Sequence, residues 1–116
     1  MRQDFDTLCN RLQQFSAARD WAQFHSPKNL ACALTVEAAE LLEIFQWMTE
    51  AESRNLAPEK VATVESELAD ILSYLIHMAN QMKIDLVAAG FRKLELNESR
   101  YPIDKARGKS TKYSDL

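Results

Sequence analysis

Two apolar helical stretches, each carrying a pair of acids three residues apart, set what this chain can fold into. The first, T-V-E-A-A-E-L-L-E-I-F-Q-W, runs from Thr35 to Trp47 and holds Glu37 and Glu40; the second, E-S-E-L-A-D-I-L-S-Y, runs from Glu65 to Tyr74 and holds Glu67 and Asp70. At about 100° per residue, a spacing of three places both acids of a pair on one helical face. An ionised carboxylate within an apolar stripe is costly unless it is paired or bound to a metal. One such pair alone is most often a solvated face. Two pairs, each set among apolar residues and each followed by an aromatic, point instead to two helices that share one acidic site.

Four hard oxygen donors suit Mg²⁺ or Mn²⁺ better than zinc or copper. Trp47 lies seven residues after Glu40 and Tyr74 four after Asp70, so a ring is expected near each acid pair, one or two turns further along. Metal beside flat rings suits a nucleotide: charge neutralisation for the phosphates and a stacking surface for the base.

The rest of the composition agrees with a helical domain. The 116 residues are 47% hydrophobic, enough for a core, and two glycines and three prolines leave little room for sheet turns. A single domain over residues 1–116 is expected, with 102–116 as a flexible tail. A net charge of −3 argues against a general nucleic-acid binder, whose affinity would come from a basic surface. Cys9 and Cys32 lack metal-ligand spacing and read as reduced core or near-core thiols. No secretory leader opens the sequence and no apolar run approaches the roughly 20 residues that span a bilayer, so a soluble, cytoplasmic protein with no membrane partner is expected.

Periodicity predicts four long helices. The first covers about Asp4 to Phe24, with Phe5, Leu8, Leu12, Phe15 and Ala22 at helical steps. The second covers about Asn29 to Met48, capped by Ser26 before Pro27. A polar loop is expected over Thr49–Pro58 and a third helix from Pro58 to about Met82. The fourth starts at its cap Asp85, ends near Ser99 or Arg100, and aligns Lys93, Asn97 and Arg100 on one face. His25, at the junction before Ser26, reads by itself as a hydrogen-bonded structural residue. His77 lies seven residues past Asp70, so the Glu-x-x-His pairs of ferritin-like diiron bundles are missing.

These motifs resemble a known set. E-x-x-E, then E-x-x-D after 26 intervening residues, F-Q-W behind the first motif and K-x-x-x-N-x-x-R-Y-P near the end are similar to the all-α nucleoside triphosphate pyrophosphohydrolases of the MazG-like superfamily. W-A-Q-F-H-S-P-K-N together with E-L-L-E-I-F-Q-W most resembles the dCTP pyrophosphatase branch. The resemblance covers about residues 5–113 and implies a four-helix bundle assembled as a homo-oligomer, dimer or tetramer, with the pocket near the subunit interface. It implies Mg²⁺ on Glu37, Glu40, Glu67 and Asp70, nucleotide contacts from His25, Trp47 and Tyr74, and phosphate contacts from Lys93 and Arg100 beside Asn97.

The expected activity is Mg²⁺-dependent hydrolysis of a deoxynucleoside triphosphate to the monophosphate and pyrophosphate, with dCTP or a modified or non-canonical nucleotide as substrate. Glu37 or Glu40 is expected to orient and deprotonate the water. The competing readings are a dUTP-specific member of the same superfamily and a helical interaction or nucleotide-binding module without turnover.

Overall fold

The computed structural model describes residues 3–116, whose regular structure is entirely helical. These residues group into two compact units, one through Lys83 and one from Ile84.

In the first unit, α1 (Phe5–Ala18) starts on Asp4, whose carboxylate accepts from the Thr7 N–H at 2.8 Å. It stops six residues before the expected end at Phe24. The stop is a Schellman motif. Asp20 adopts the left-handed conformation (φ 52°), the Asp20 N–H donates to the Ala17 carbonyl and the Trp21 N–H to that of Ser16. Arg19 stacks over the Phe15 ring at 3.6 Å, and Trp21 meets the same ring edge-on. A one-turn 3₁₀ segment, Ala22–Phe24, then leads into the next helix.

Helix α2 (Pro27–Phe45) opens as expected: the Ser26 hydroxyl accepts from the Asn29 N–H at 3.1 Å, and proline takes the first turn. It ends before Met48, because Thr49 nucleates a separate helix, α3 (Glu50–Ser53). Thr49 and Glu52 form a capping box: the Thr49 hydroxyl accepts from the Glu52 N–H and the Glu52 carboxylate from the Thr49 N–H, both at 3.1 Å. The connection expected to be a plain loop is therefore partly helical.

Helix α4 (Pro58–Met82) matches its expected span and packs against both α1 and α2. The core is small. Leu30 on α2 and Ile76 on α4 are each 1% exposed, with Ala79 beside them. Both cysteines are free; Cys9 is half-buried, but Cys32, expected in or near the core, is exposed because it falls on the outer side of α2.

The second unit holds α5 (Leu86–Arg100), α6 (Ile103–Ala106) and a terminal 3₁₀ turn, Tyr113–Asp115. Asp85 caps α5, accepting from the Ala88 N–H at 3.0 Å. Where the sequence offered no periodicity after Pro102, the chain instead returns to α5: Arg100 lies over the Tyr113 ring at 4.4 Å, and Tyr101 meets Tyr113 edge-on. The four long helices, α1, α2, α4 and α5, are the four expected. No helix among the described residues is long and apolar enough to cross a membrane.

The end of α4 carries a local conflict between residue and backbone. Lys83 closes the helix in the left-handed conformation, φ 55° and ψ 44°, which costs an L side chain roughly 1–2 kcal/mol. Lys83→Gly should raise stability by about 1 kcal/mol, read as a higher denaturation midpoint at unchanged slope; a lower midpoint would count against relief of backbone strain.

Candidate active site

The acid pairs of α2 and α4 meet because these two helices pack along each other. Carboxylate oxygens of Glu37, Glu67 and Asp70 lie within 4.8 Å of one another. Glu40 stands outside that triad but close enough to act on it, since its charge raises the pKa of both Glu37 and Glu67. Glu37 and Glu67 are half-buried, Glu40 and Asp70 exposed. One oxygen of Glu37 and one of Glu67, both Oε2, are buried without a hydrogen-bond donor.

This arrangement is under electrostatic load. Loss of hydration, then its contacts with Glu40, and then the charges of Asp70 and Glu67 push Glu37 up from the ordinary 4.5 to about 7. Loss of hydration also raises Glu67, with Glu40 as the next cause. Buried carboxylate oxygens with no donor are acceptors waiting for a positive partner. Hard oxygens from two helices fit a divalent cation, which Glu37, Glu67 and Asp70 would hold with Glu40 adjoining.

The aromatic candidates divide. Tyr74 follows Asp70 by one turn of α4 and is half-buried. Its ring stands 6.3 Å from that of His77, and His77 in turn lies 4.8 Å from His25. His25 and Tyr74 thus belong to one ring cluster, whose middle member the sequence reading left aside. Trp47 sits past the end of α2 and is 89% exposed, so it is not a core residue. Of the stripe on α5, Asn97 and Arg100 are half-buried and Lys93 is exposed. The Tyr113 ring under Arg100 is a contact no local signal announces, because it depends on the chain turning back.

Paired helices that bring acid-pair motifs into one carboxylate cluster define a MazG-like protein. The model of the MazG-like family matches residues 32–116, and the chain belongs to that family. It is 44% identical over 105 residues to dCTP pyrophosphatase 1 of Rattus norvegicus and 43% identical over 105 to that of Homo sapiens, with 89% of this chain covered in both. The chain spans 62% of the length of these curated relatives. The crystal structure of a pyrophosphatase from Archaeoglobus fulgidus is similar with a TM-score of 0.81 and 38% identity, covering 88% of this chain and 95% of that one.

The raised Glu37 carboxyl gives the metal-free protein a defined pH response. In the fold it keeps its proton up to about pH 7, whereas the unfolded chain releases it near 4.5. Its protonation therefore contributes stability that is complete below the unfolded value and lost as pH rises through the folded one. Without metal, the melting temperature should fall between about pH 5 and about pH 8, and Glu37→Gln should flatten that fall. Affinity for Mg²⁺ should rise over the same interval, because the cation must displace that proton; equal affinity at both ends would contradict the assignment.

Proposed function

We propose that this protein hydrolyses a deoxynucleoside triphosphate, dCTP or a modified cytosine nucleotide, to the monophosphate and pyrophosphate, in a Mg²⁺-dependent reaction that Mn²⁺ also supports. The observation that carries the reading is the carboxylate triad with its two donorless buried oxygens. The names and extent of the similar proteins support the substrate class. A divalent ion in this site would withdraw charge from the phosphates and lower the pKa of a bound water.

The chain's own residues supply the rest. A triphosphate carries a charge of about −4 and is repelled by bare carboxylates. Glu37, Glu67 and Asp70 therefore bind substrate only as part of a metal-loaded site. Glu37 or Glu40 orients the water and accepts its proton. Water then adds across the α–β phosphoanhydride, giving the monophosphate and pyrophosphate. His25, Trp47 and Tyr74 are assigned to the nucleoside; Lys93, Asn97 and Arg100 are assigned to substrate binding on the match of K-x-x-x-N-x-x-R to the family's C-terminal motif.

Assembly as a homo-oligomer, at least a dimer, belongs to the same reading. Val36 and Leu42 on α2 and Val61 and Leu68 on α4 remain about half exposed, an apolar surface that symmetric association would cover.

The first experiment is pyrophosphate release from a panel of dCTP, dUTP and the other nucleotides, with Mg²⁺, Mn²⁺ or chelator. Turnover of dUTP alone would reassign the substrate, and no release from any nucleotide would leave only a binding module. Asp70→Asn should lower kcat by more than about 100-fold, beyond the usual cost of losing a partner outside the ligand set, and Glu40→Gln should lower it by about 100-fold or more as the loss of a group that accepts the water's proton. The metal-free fold of either variant should be at least as stable as wild type, since each removes one of several repelling charges. Trp47→Ala should weaken nucleotide binding by about 1–3 kcal/mol if the indole stacks on the base. With 89% of Trp47 exposed, its melting temperature should not move, and an unchanged KM would remove Trp47 from the site.

A further inference from the structure

The His25 and His77 rings lie 4.8 Å apart, centroid to centroid, with planes inclined by 48°. His77 also stands 6.3 Å from the Tyr74 ring at 59°, within the range of an aromatic contact. Their supports differ. His25 closes the one-turn 3₁₀ segment, its N–H donating to the Ala22 carbonyl at 3.1 Å, just before the cap of α2. Local hydrogen bonds hold this linker, among them Asn29 Nδ2 donating to the Phe24 carbonyl at 3.0 Å. His77 stands on α4, 25 residues long, next to Ile76 at 1% exposure. A ring on a short linker has been set against a ring on the longest helix of its unit.

Half-buried, His77 is also poor in charge. Burial, and secondarily the neighbouring His25, hold its imidazole below the ordinary 6.5. At neutral pH it presents a flat, uncharged surface, suited to support a neighbouring ring without adding charge to a site meant for phosphates.

We propose that His77 is a positioning residue of the nucleotide pocket: its ring, fixed on α4, braces the His25 ring in the orientation that meets the nucleoside. The inference rests on the reading of His25 as a nucleotide contact. His77 touches no reacting atom; it acts through His25 and leaves the carboxylate chemistry alone.

The test is steady-state kinetics with dCTP and saturating Mg²⁺, with melting temperatures measured in parallel. His77→Ala should raise KM about tenfold, the scale of one aromatic pair, while kcat changes less than about threefold. His77→Phe keeps a flat ring without the nitrogens and should restore KM to within about threefold of wild type. His25→Ala/His77→Ala should have a KM within about threefold of His25→Ala alone, because the brace has nothing left to hold. Unchanged KM in His77→Ala, additive losses in the double variant, or a folded His77→Phe as impaired as His77→Ala would each overturn the proposal. Should His77→Ala fail to fold, His77→Leu takes its place under the same criteria, since it fills the space without a ring plane. His25→Ala separates the two levels. An unchanged KM there would remove His25 from the pocket and this proposal with it, whereas a raised KM with no response at position 77 would overturn the brace alone.

Discussion

Repulsion between like charges is the constraint on which the rest of the structure depends. Glu37, Glu67 and Asp70 bring carboxylate oxygens within 4.8 Å of one another, with Glu40 at their edge. Left in water, four such groups would separate. They are held because α2 and α4 pack along each other, with Leu30 of α2 and Ile76 and Ala79 of α4 in the core. The core is thus used partly to hold an unfavourable arrangement, as is usual where a site must receive a highly charged ligand. Proton and metal would be alternative remedies for the same excess of negative charge, so a divalent cation bound here would be coupled to pH.

The framework around the cluster is built from short-range rules. Ser26, Thr49 and Asp85 each place a side-chain oxygen at the start of a helix and satisfy a free N–H. Prolines at 27 and 58 fit the first turns of α2 and α4. These devices set where each helix begins, and so which turn of α2 faces which turn of α4. A one-residue shift in either start would rotate an acid pair by about 100° away from its counterpart.

Legibility followed the same division. The starts of α2, α4 and α5 could be read closely because serine, proline and aspartate announce them in sequence. The end of α1 could not, because Asp20 rather than glycine occupies its left-handed terminus, and the apolar spacing continues past it to Ala22. Helix α3 carried a readable T-x-x-E signal that the polarity of the segment obscured. At the site, the acid pairs were visible because charge amid apolar residues is anomalous in one dimension. In the sequence His77 is only a histidine that makes no Glu-x-x-His pair, and its meaning lies in the His25 ring, which packing alone brings to it. Tyr113 beneath Arg100 escaped for the same reason, being a contact across a turn with no period.

The two tryptophans occupy unlike surroundings. Trp21 is 42% exposed and rests edge-on against Phe15, whereas Trp47 is 89% exposed beyond the end of α2. Indole emission shifts to longer wavelength as the ring meets water, so the two should differ in colour and in access to a soluble quencher. With Trp21 replaced by phenylalanine, the remaining fluorescence would come from a single indole seven residues past Glu40. The protein thus carries its own optical reporter beside the acidic helices, with no dye to attach.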